Sequence, residues 1–176
     1  PWQSSAKIEG YSDTDWAGCG KTRKSTSGGC ILFGSHLIKS WSSTQSNIAL
    51  SSGEAELYGV VKAAGMTLGH QAMFGDLGLK LPIRVWTDST ATMGICARQG
   101  LGKLRHISTQ ALWVQQLVRD GSVRLHKVLG TENPADLFTK HLTCRSRVED
   151  LLNKFGCEFR GGRPDSAPKL RQVTGT

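Results

Sequence analysis

The feature that most constrains the fold of this chain is a change of hydrophobic period near Ser51. Before it, the segments 7–16, 29–33 and 37–42 have the composition of strands and are joined by short polar turns, which predicts an antiparallel meander. After it, apolar residues recur at the spacing of an amphipathic helix. A chain with this switch is expected to build a sheet first and then to cover it with helices.

The rest of the sequence alternates helical and extended patterns. The predicted elements are a strand at 83–86, helices at about 89–98 and 107–119, a strand at 122–129 and a helix from 134 onward. Strands that are reached through helical crossovers run parallel to their neighbours. The sequence therefore predicts an α/β fold in which three antiparallel strands are followed by two parallel strands, with helices flanking the mixed sheet.

Local signals mark the start of two of these helices. Ser51 and Glu54 have capping-box spacing, and Asn133 with Pro134 is typical of a cap followed by the first helical residue. Glycines at 59, 65 and 69 weaken the first long helix, since each costs about 1 kcal/mol relative to alanine. The tryptophans at 16, 41, 86 and 113 lie on strands or on an apolar helix face, and we expect them in the core.

Composition narrows the class of protein. The formal net charge of +8 favours a polyanionic partner, with nucleic acid as the first choice. Five widely spaced cysteines without a C-x-x-C pair argue against a zinc site and a disulfide framework. Neither a secretory leader nor an apolar run of about 20 residues is present, so we expect an intracellular protein without a membrane partner.

Four acidic residues fall where strands or helices could direct them to one place. Asp13 lies in the first strand, Glu56 in the first long helix, Asp88 at the end of the fourth strand and Asp136 in the late helix. Clustered carboxylates repel one another unless cations neutralise them, and such oxygen ligands suit Mg²⁺ or Mn²⁺. Two ions about 4 Å apart can support phosphodiester cleavage.

Spacing alone leaves alternatives for each acid. Asp13 and Asp15 share one strand face, so the pattern does not choose between them. Glu56 lies at the edge of the apolar helical stripe, whereas Glu54 is explained as part of a cap. Asp88 could instead cap the helix that it precedes, and Asp136 could be a first-turn acid favoured by the helix dipole.

A set of sequence strings resembles a known family. The strings GYSDTDWAG, RKSTSGG, KSWSSTQSNIALSSGEAEL, VWTDSTA, RHI and PADLFTK occur in this order between about Ile8 and Leu142. Together they resemble the ribonuclease H domain of copia-type LTR retrotransposon polyproteins. The resemblance implies a ribonuclease H-like fold with a five-stranded mixed sheet. It also implies a D-E-D-D set of catalytic, metal-binding carboxylates, which matches Asp13, Glu56, Asp88 and Asp136 here.

The activity that the resemblance implies is metal-dependent endonuclease cleavage of the RNA strand of RNA–DNA hybrids during reverse transcription. Two Mg²⁺ or Mn²⁺ ions would be the cofactors, and the products would carry 5′-phosphate and 3′-hydroxyl ends. The alternative is a degenerate module on the same fold that only binds duplex or supports a polymerase. The expected partners are the hybrid and the reverse transcriptase region of the same polyprotein, in a cytoplasmic retroelement particle or in the nucleus.

One departure from cellular ribonucleases H concerns the loop before the fourth acid. Those enzymes carry a histidine there, whereas the loop 130–133 reads GTEN and offers Glu132 as its only titratable group. We interpret Glu132 as a solvated acid. Candidate contacts to the nucleic acid are the basic residues of two links between elements, together with one histidine: Lys21, Arg23, Lys24, Arg98, Lys103, Arg105 and His106.

The predicted organisation has four parts. They are an N-terminal lead-in at 1–7, the ribonuclease H domain at 8–142, a helical extension at 143–160 and a basic tail at 161–176. A helix is expected at about 145–155. The tail has few residues to bury and is expected to be disordered.

Overall fold

A five-stranded sheet forms the centre of the computed structural model, which describes residues 7–102, 107 and 109–157. The strands lie side by side in the order β3-β2-β1-β4-β5. Their bounds are β1 (Ile8–Asp15), β2 (Thr26–Phe33), β3 (His36–Thr44), β4 (Ile83–Thr87) and β5 (Arg124–Lys127). β1, β2 and β3 pair antiparallel, whereas β4 is parallel to both β1 and β5. The predicted mixed sheet is confirmed.

Four α-helices and three short 3₁₀ segments complete the described fold. The α-helices are α1 (Ser52–Asp76), α2 (Thr90–Ala97), α3 (Trp113–Arg119) and α4 (Arg145–Asn153). The 3₁₀ segments are Thr109–Leu112, Gly130–Glu132 and Pro134–Phe138. Two predicted helices differ in type, since Thr109–Leu112, within the predicted helix 107–119, and Pro134–Phe138, after Asn133, wind as 3₁₀ helix. None of the helices in the described part of the chain is long and apolar enough to cross a membrane.

β2 begins three residues earlier than the sequence pattern indicates. Thr26, Ser27 and Gly28 were predicted as part of a polar turn, but they pair with β1 on one side and with β3 on the other. Thr26 and Ser27 have small polar side chains and Gly28 has none, so this stretch shows no hydrophobic alternation. The hydrogen bonds to two neighbouring strands hold them in the sheet instead.

The two faces of the sheet bury separate apolar clusters. The larger cluster lies under α1 and includes Ile8, Leu57 and Val85. The smaller one contains Cys30 and Leu32 of β2 together with the segment after α4. Because neighbouring residues of a strand point to opposite faces, β2 contributes to both clusters. Leu152, Phe155 and Cys157 thus pack on the face that α1 leaves open. All five cysteines are free thiols.

Glycines allow α1 to lie close against β1. A Cβ added at Gly59 would come within 2.6 Å of the Thr14 hydroxyl and 2.8 Å of the Ser12 hydroxyl. The Thr14 hydroxyl donates to the carbonyl of Ala55, which ties the first turns of α1 to the end of β1. By contrast, a Cβ at Gly69 would have no atom within 4 Å. The glycines expected to weaken this helix do not interrupt it, and Gly59 has a packing role.

The expectation that four tryptophans are core residues is wrong for two of them. Trp41 is buried, and Trp86 stacks on Tyr11 with ring centroids 5.9 Å apart. Trp16 is 49% exposed and Trp113 is 39% exposed. Trp16 follows the end of β1, and its indole N–H donates to the carbonyl of Ala49 at 3.1 Å. A residue just past the end of its strand is no longer covered by the layer above the sheet.

Candidate active site

Three carboxylates meet at the carboxyl ends of two neighbouring strands. Asp13 lies on β1, Asp88 directly follows β4 and Glu56 lies in α1, and one oxygen of each is within 4.8 Å of the others. β1 and β4 run parallel and adjacent, so their carboxyl ends reach the same edge of the sheet. The close packing of α1 on β1 brings Glu56 to this edge. The structure thus brings together three of the four acids that the sequence singled out.

Asp13, and not Asp15, belongs to this cluster. Asp13 is only 2% exposed, and its carboxylate accepts a hydrogen bond from the hydroxyl of Thr139. The carboxylate of Asp15 folds over the following turn, where a Cβ at Gly18 would meet it at 1.6 Å. Burial raises the pKa of Asp13 above its usual value, against the opposing effects of the Thr139 hydrogen bond and the Lys140 charge. The geometry therefore separates two acids that the strand pattern left equivalent.

The two glutamates at the start of α1 have different roles. Ser51 caps the helix by accepting the N–H of Glu54 at 3.2 Å, and the Glu54 carboxylate accepts the N–H of Leu50 at 2.8 Å. Glu56 Oε2, in contrast, is buried and has no hydrogen-bond partner among the described residues. Burial, together with the charges of Asp13 and Asp88, raises the pKa of Glu56 to about 8. Glu54 stabilises the helix start, and Glu56 is free to bind a cation.

Asp88 does not cap the helix that it precedes. The N-cap of α2 is Ser89, whose hydroxyl accepts the N–H of Thr92 at 3.2 Å. Asp88 is half-buried, and this burial raises the pKa of its carboxyl group, with Lys140 opposing the shift. The carboxylate of Asp88 is thus available to the cluster.

Asp136 is buried beside the three-carboxylate cluster. Its segment is fixed by Asn133, whose side chain accepts the N–H of Ala135 at 3.1 Å and donates to the carbonyl of Ser12 at 2.9 Å. The carboxylate of Asp136 is paired with Lys140, whose Nζ lies 2.6 Å from Oδ1, and with Arg147, whose Nη2 lies 3.4 Å from Oδ2. The predicted cap at Asn133 is confirmed, and two cations engage the fourth acid.

The donor set of the cluster fits a hard divalent cation. Mg²⁺ binds carboxylate oxygens at about 2.1 Å in an octahedron, which places ligand oxygens about 3–4 Å apart. The oxygens of Asp13, Glu56 and Asp88 need only small side-chain movements to reach that spacing. The unpartnered oxygen of Glu56 and the raised pKa values of the three acids are the expected signs of clustered carboxylates whose negative charge is only partly compensated.

Curated relatives of this chain are retroelement polyproteins. The retrovirus-related Pol polyprotein from transposon TNT 1-94 of Nicotiana tabacum is 30% identical over 135 residues, which cover 76% of this chain and 10% of that protein. The Pol polyprotein from transposon RE1 of Arabidopsis thaliana is 29% identical over 153 residues, covering 85% and 10%. The chain spans about a tenth of the length of these relatives. No family model matches the chain.

Solved structures of similar shape share one fold. LC11-RNase H1, isolated from compost, superposes with a TM-score of 0.55 at 18% identity, covering 74% of this chain and 91% of that one. RNase H1 from Halobacterium salinarum gives a TM-score of 0.51 at 16% identity, covering 75% and 93%. This chain has the ribonuclease H fold. With copia-type Pol polyproteins of plant transposons as its homologues, it fits the ribonuclease H domain of such polyproteins.

On this ribonuclease H fold, the candidate nucleic-acid contacts fall into three groups. Lys21 and Arg23 are exposed and Lys24 is half-exposed in the turn between β1 and β2. Arg98 donates to the carbonyl of Leu101 at 3.0 Å, so its guanidinium is engaged in holding its own loop. The remaining candidates, Lys103, Arg105 and His106, lie outside the described residues, as does the tail 161–176.

Sequence reasoning missed three side chains of the candidate site: Thr139, Lys140 and Arg147. Lys140 stands four residues after Asp136, and this helical spacing is the signal that could have identified it. Arg147 has no such signal, because it lies in α4, 11 residues after Asp136.

The loop acid Glu132 is 62% exposed and lies 4.0 Å from Lys154, as expected of a solvated acid. The boundaries predicted at 142 and 160 stay predictions.

Proposed function

We propose that this chain is a metal-dependent endonuclease that hydrolyses the RNA strand of RNA–DNA hybrids during reverse transcription of a retroelement. The observation that carries the proposal is the convergence of Asp13, Glu56 and Asp88 within 4.8 Å on a ribonuclease H fold. Similarity to transposon Pol polyproteins and the LC11-RNase H1 structure in complex with an RNA/DNA hybrid (TM-score 0.50, 15% identity) support the substrate class.

The four acids would hold two Mg²⁺ or Mn²⁺ ions. Ions bound there supply Lewis-acid chemistry, since they activate water and stabilise the leaving oxygen of a phosphodiester. Asp13 is oriented for this role by the hydroxyl of Thr139, and the unpartnered oxygen of Glu56 offers an unused ligand atom. Asp136 is held in place by Arg147. Cleavage would leave 5′-phosphate and 3′-hydroxyl ends.

Recognition of the hybrid would rest on its backbone. The net charge of +8 and the exposed Lys21 and Arg23 suit contacts to phosphates and 2′-hydroxyl groups, which carry little sequence information. The reverse transcriptase region of the same polyprotein would be the partner that delivers the hybrid. The corresponding setting is intracellular, in a retroelement particle or in the nucleus.

The test is cleavage of a 5′-labelled RNA strand in an RNA–DNA hybrid by the full chain, with Mg²⁺ or with chelator. We expect cleavage only with the metal, products ending in 3′-hydroxyl groups, and no cleavage of double-stranded DNA. Asp13→Asn should abolish cleavage and keep hybrid binding, whereas the matched control Asp15→Asn should cut at a rate near that of the wild type.

Three results would contradict the proposal: equal cleavage of double-stranded DNA, full activity in excess chelator, or an Asp15→Asn variant as inactive as Asp13→Asn. Hybrid binding without any cleavage by the wild-type chain would instead support the alternative of a degenerate module that only binds duplex.

A further inference from the structure

One cation of the protein itself lies inside the carboxylate site. The Nζ of Lys140 is 2.6 Å from Asp136 Oδ1 and 3.7 Å from Asp13 Oδ1, so it bridges the first and the fourth acids. Lys140 also acts electrostatically on Glu56 and Asp88. The ammonium group therefore neutralises part of the charge of all four carboxylates.

The position of this ammonium conflicts with a divalent ion shared by Asp13 and Asp136. An ion bound to both carboxylates would lie within a few ångströms of each, which is where Lys140 Nζ lies. Two cations cannot occupy this space together, because their repulsion is strong at such a distance. Binding of an ion there requires the ammonium to leave.

The side chain of Lys140 can move away from the carboxylates, whereas the side chain of Arg147 is fixed by a second contact. The Lys140 side chain is 45% exposed and has a flexible four-carbon stem, so it can turn into solvent. Arg147 has a side chain that is 28% exposed, and it donates to the carbonyl of Thr131 as well as to Asp136. After Lys140 moves away, Arg147 would still hold the carboxylate of Asp136 in place from α4.

We infer that Lys140 is a displaceable internal counter-ion, which stabilises the carboxylate site of the metal-free protein and competes with the divalent ion for Asp13 and Asp136. The inference rests on the proposed function, since it concerns the same site. It makes Lys140 a positioning residue in the absence of metal and a competitor in its presence.

The test compares Lys140→Met with the charge-conserving Lys140→Arg in the full chain. The Kd for Mg²⁺ is measured by calorimetry, and the Tm is measured in chelator and in Mg²⁺. Lys140→Met should bind Mg²⁺ about tenfold more tightly, the scale of one unit charge close to a partly exposed site. Its Tm in chelator should fall by about 4 °C and recover in Mg²⁺.

Two control variants are needed. Lys127→Met tests whether removing any nearby positive charge has the same effect, and Lys140→Arg tests whether keeping the charge at position 140 preserves the wild-type behaviour. Lys127 is exposed, acts electrostatically on Asp88 and donates to the hydroxyl of Thr90 at 2.8 Å, so Lys127→Met removes a nearby charge that does not bridge the carboxylates. We expect Lys127→Met and Lys140→Arg to keep the wild-type Kd for Mg²⁺ and the wild-type Tm in chelator.

Weaker or unchanged Mg²⁺ binding by Lys140→Met would overturn the inference, as would an unchanged Tm in chelator or equal tightening by Lys127→Met. The proposed function fails in a different way. In that case the wild-type chain neither cleaves the hybrid nor changes its Tm with Mg²⁺, while the Tm difference between wild type and Lys140→Met in chelator still tests the counter-ion.

Discussion

The carboxylates of the site differ in how far their negative charge is compensated. Asp136 has Lys140 and Arg147, and Asp13 has the hydroxyl of Thr139. Glu56 has one oxygen without a hydrogen-bond partner in the described part of the chain. An uncompensated buried carboxylate disfavours its own ionisation. Glu56 is therefore the residue through which pH should act on the metal-free protein.

We predict that the contribution of Glu56 to the stability of the metal-free protein falls as the pH rises from about 4.5 to about 8. Within this window the folded protein keeps a proton on Glu56 that the unfolded chain releases, so the free energy of unfolding decreases with pH. The raised pKa values of Asp13 and Asp88 act in the same direction. Lys140 does not contribute in this window, because its pKa is raised from an ordinary value near 10.5.

The measurement is urea unfolding in chelator over a series of pH values. Glu56→Gln should be more stable than the wild type at pH 8 and should show a shallower decline with pH. Saturating Mg²⁺ should flatten the decline of the wild type, since a bound cation favours the ionised carboxylates. Parallel declines in the wild type and in Glu56→Gln would show that Glu56 keeps an ordinary pKa in the folded protein.

Sequence periodicity predicted correctly that some of these residues belong to the site, but it could not decide for others. The helical wheel favoured Glu56 over Glu54, because one lies at the edge of the apolar stripe and the other at the cap. Strand alternation could not separate Asp13 from Asp15, since the difference arises from the turn after β1, where Asp15 folds over Gly18. Arg147 reaches the site only through the tertiary packing of α4, which leaves no local pattern.

At the level of elements, the contact between α1 and β1 sets the height of Glu56 above the sheet. We predict opposite effects for two alanine substitutions in this helix. Gly59→Ala should destabilise the fold by about 1–3 kcal/mol, because its Cβ would collide with the hydroxyls of Thr14 and Ser12. Gly69→Ala should stabilise it by up to about 1 kcal/mol, because that site is exposed and open and alanine favours the helix.

Urea unfolding of both variants in Mg²⁺ gives the two changes in the free energy of unfolding. Gly59→Ala should also weaken Mg²⁺ binding, since it moves α1 away from Asp13, whereas Gly69→Ala should not. Equal stabilisation by the two substitutions would mean that α1 does not depend on this close approach.

The order and direction of the elements followed from the sequence, but some boundaries did not. Hydrophobic period identified α1 and β4, and crossover geometry gave the parallel pairing of β4 and β5. The start of β2 at Thr26 could not be predicted from the sequence, because this part of the strand has no hydrophobic pattern and is stabilised by pairing with β1 and β3. The 3₁₀ winding of Pro134–Phe138 could not be predicted either, because its cap and its proline are equally typical of an α-helix.

At the scale of the whole molecule, charge should govern the affinity for the hybrid. Residues 161–176 contain Arg163, Lys169 and Arg171 against a single Asp165. We predict that their deletion leaves the fold intact and weakens hybrid binding more at low salt than at high salt, because fewer counterions are released. Fluorescence anisotropy over a range of salt concentrations measures this slope, and circular dichroism checks the fold. A slope identical to that of the full chain would exclude the tail from the binding surface.

The hydrogen bond from the Asn133 side chain to the carbonyl of Ser12 joins parts of the chain that are 121 residues apart. A ribosome adds about 5–20 residues per second, so on the order of 10 s separates the synthesis of these two partners. When Asn133 is added, the nascent chain already contains Asp13, Glu56 and Asp88, but not yet Asp136, Lys140 and Arg147. The four-carboxylate site can therefore form only after the C-terminal third of the domain has been synthesised, so the rate of translation limits how early it forms.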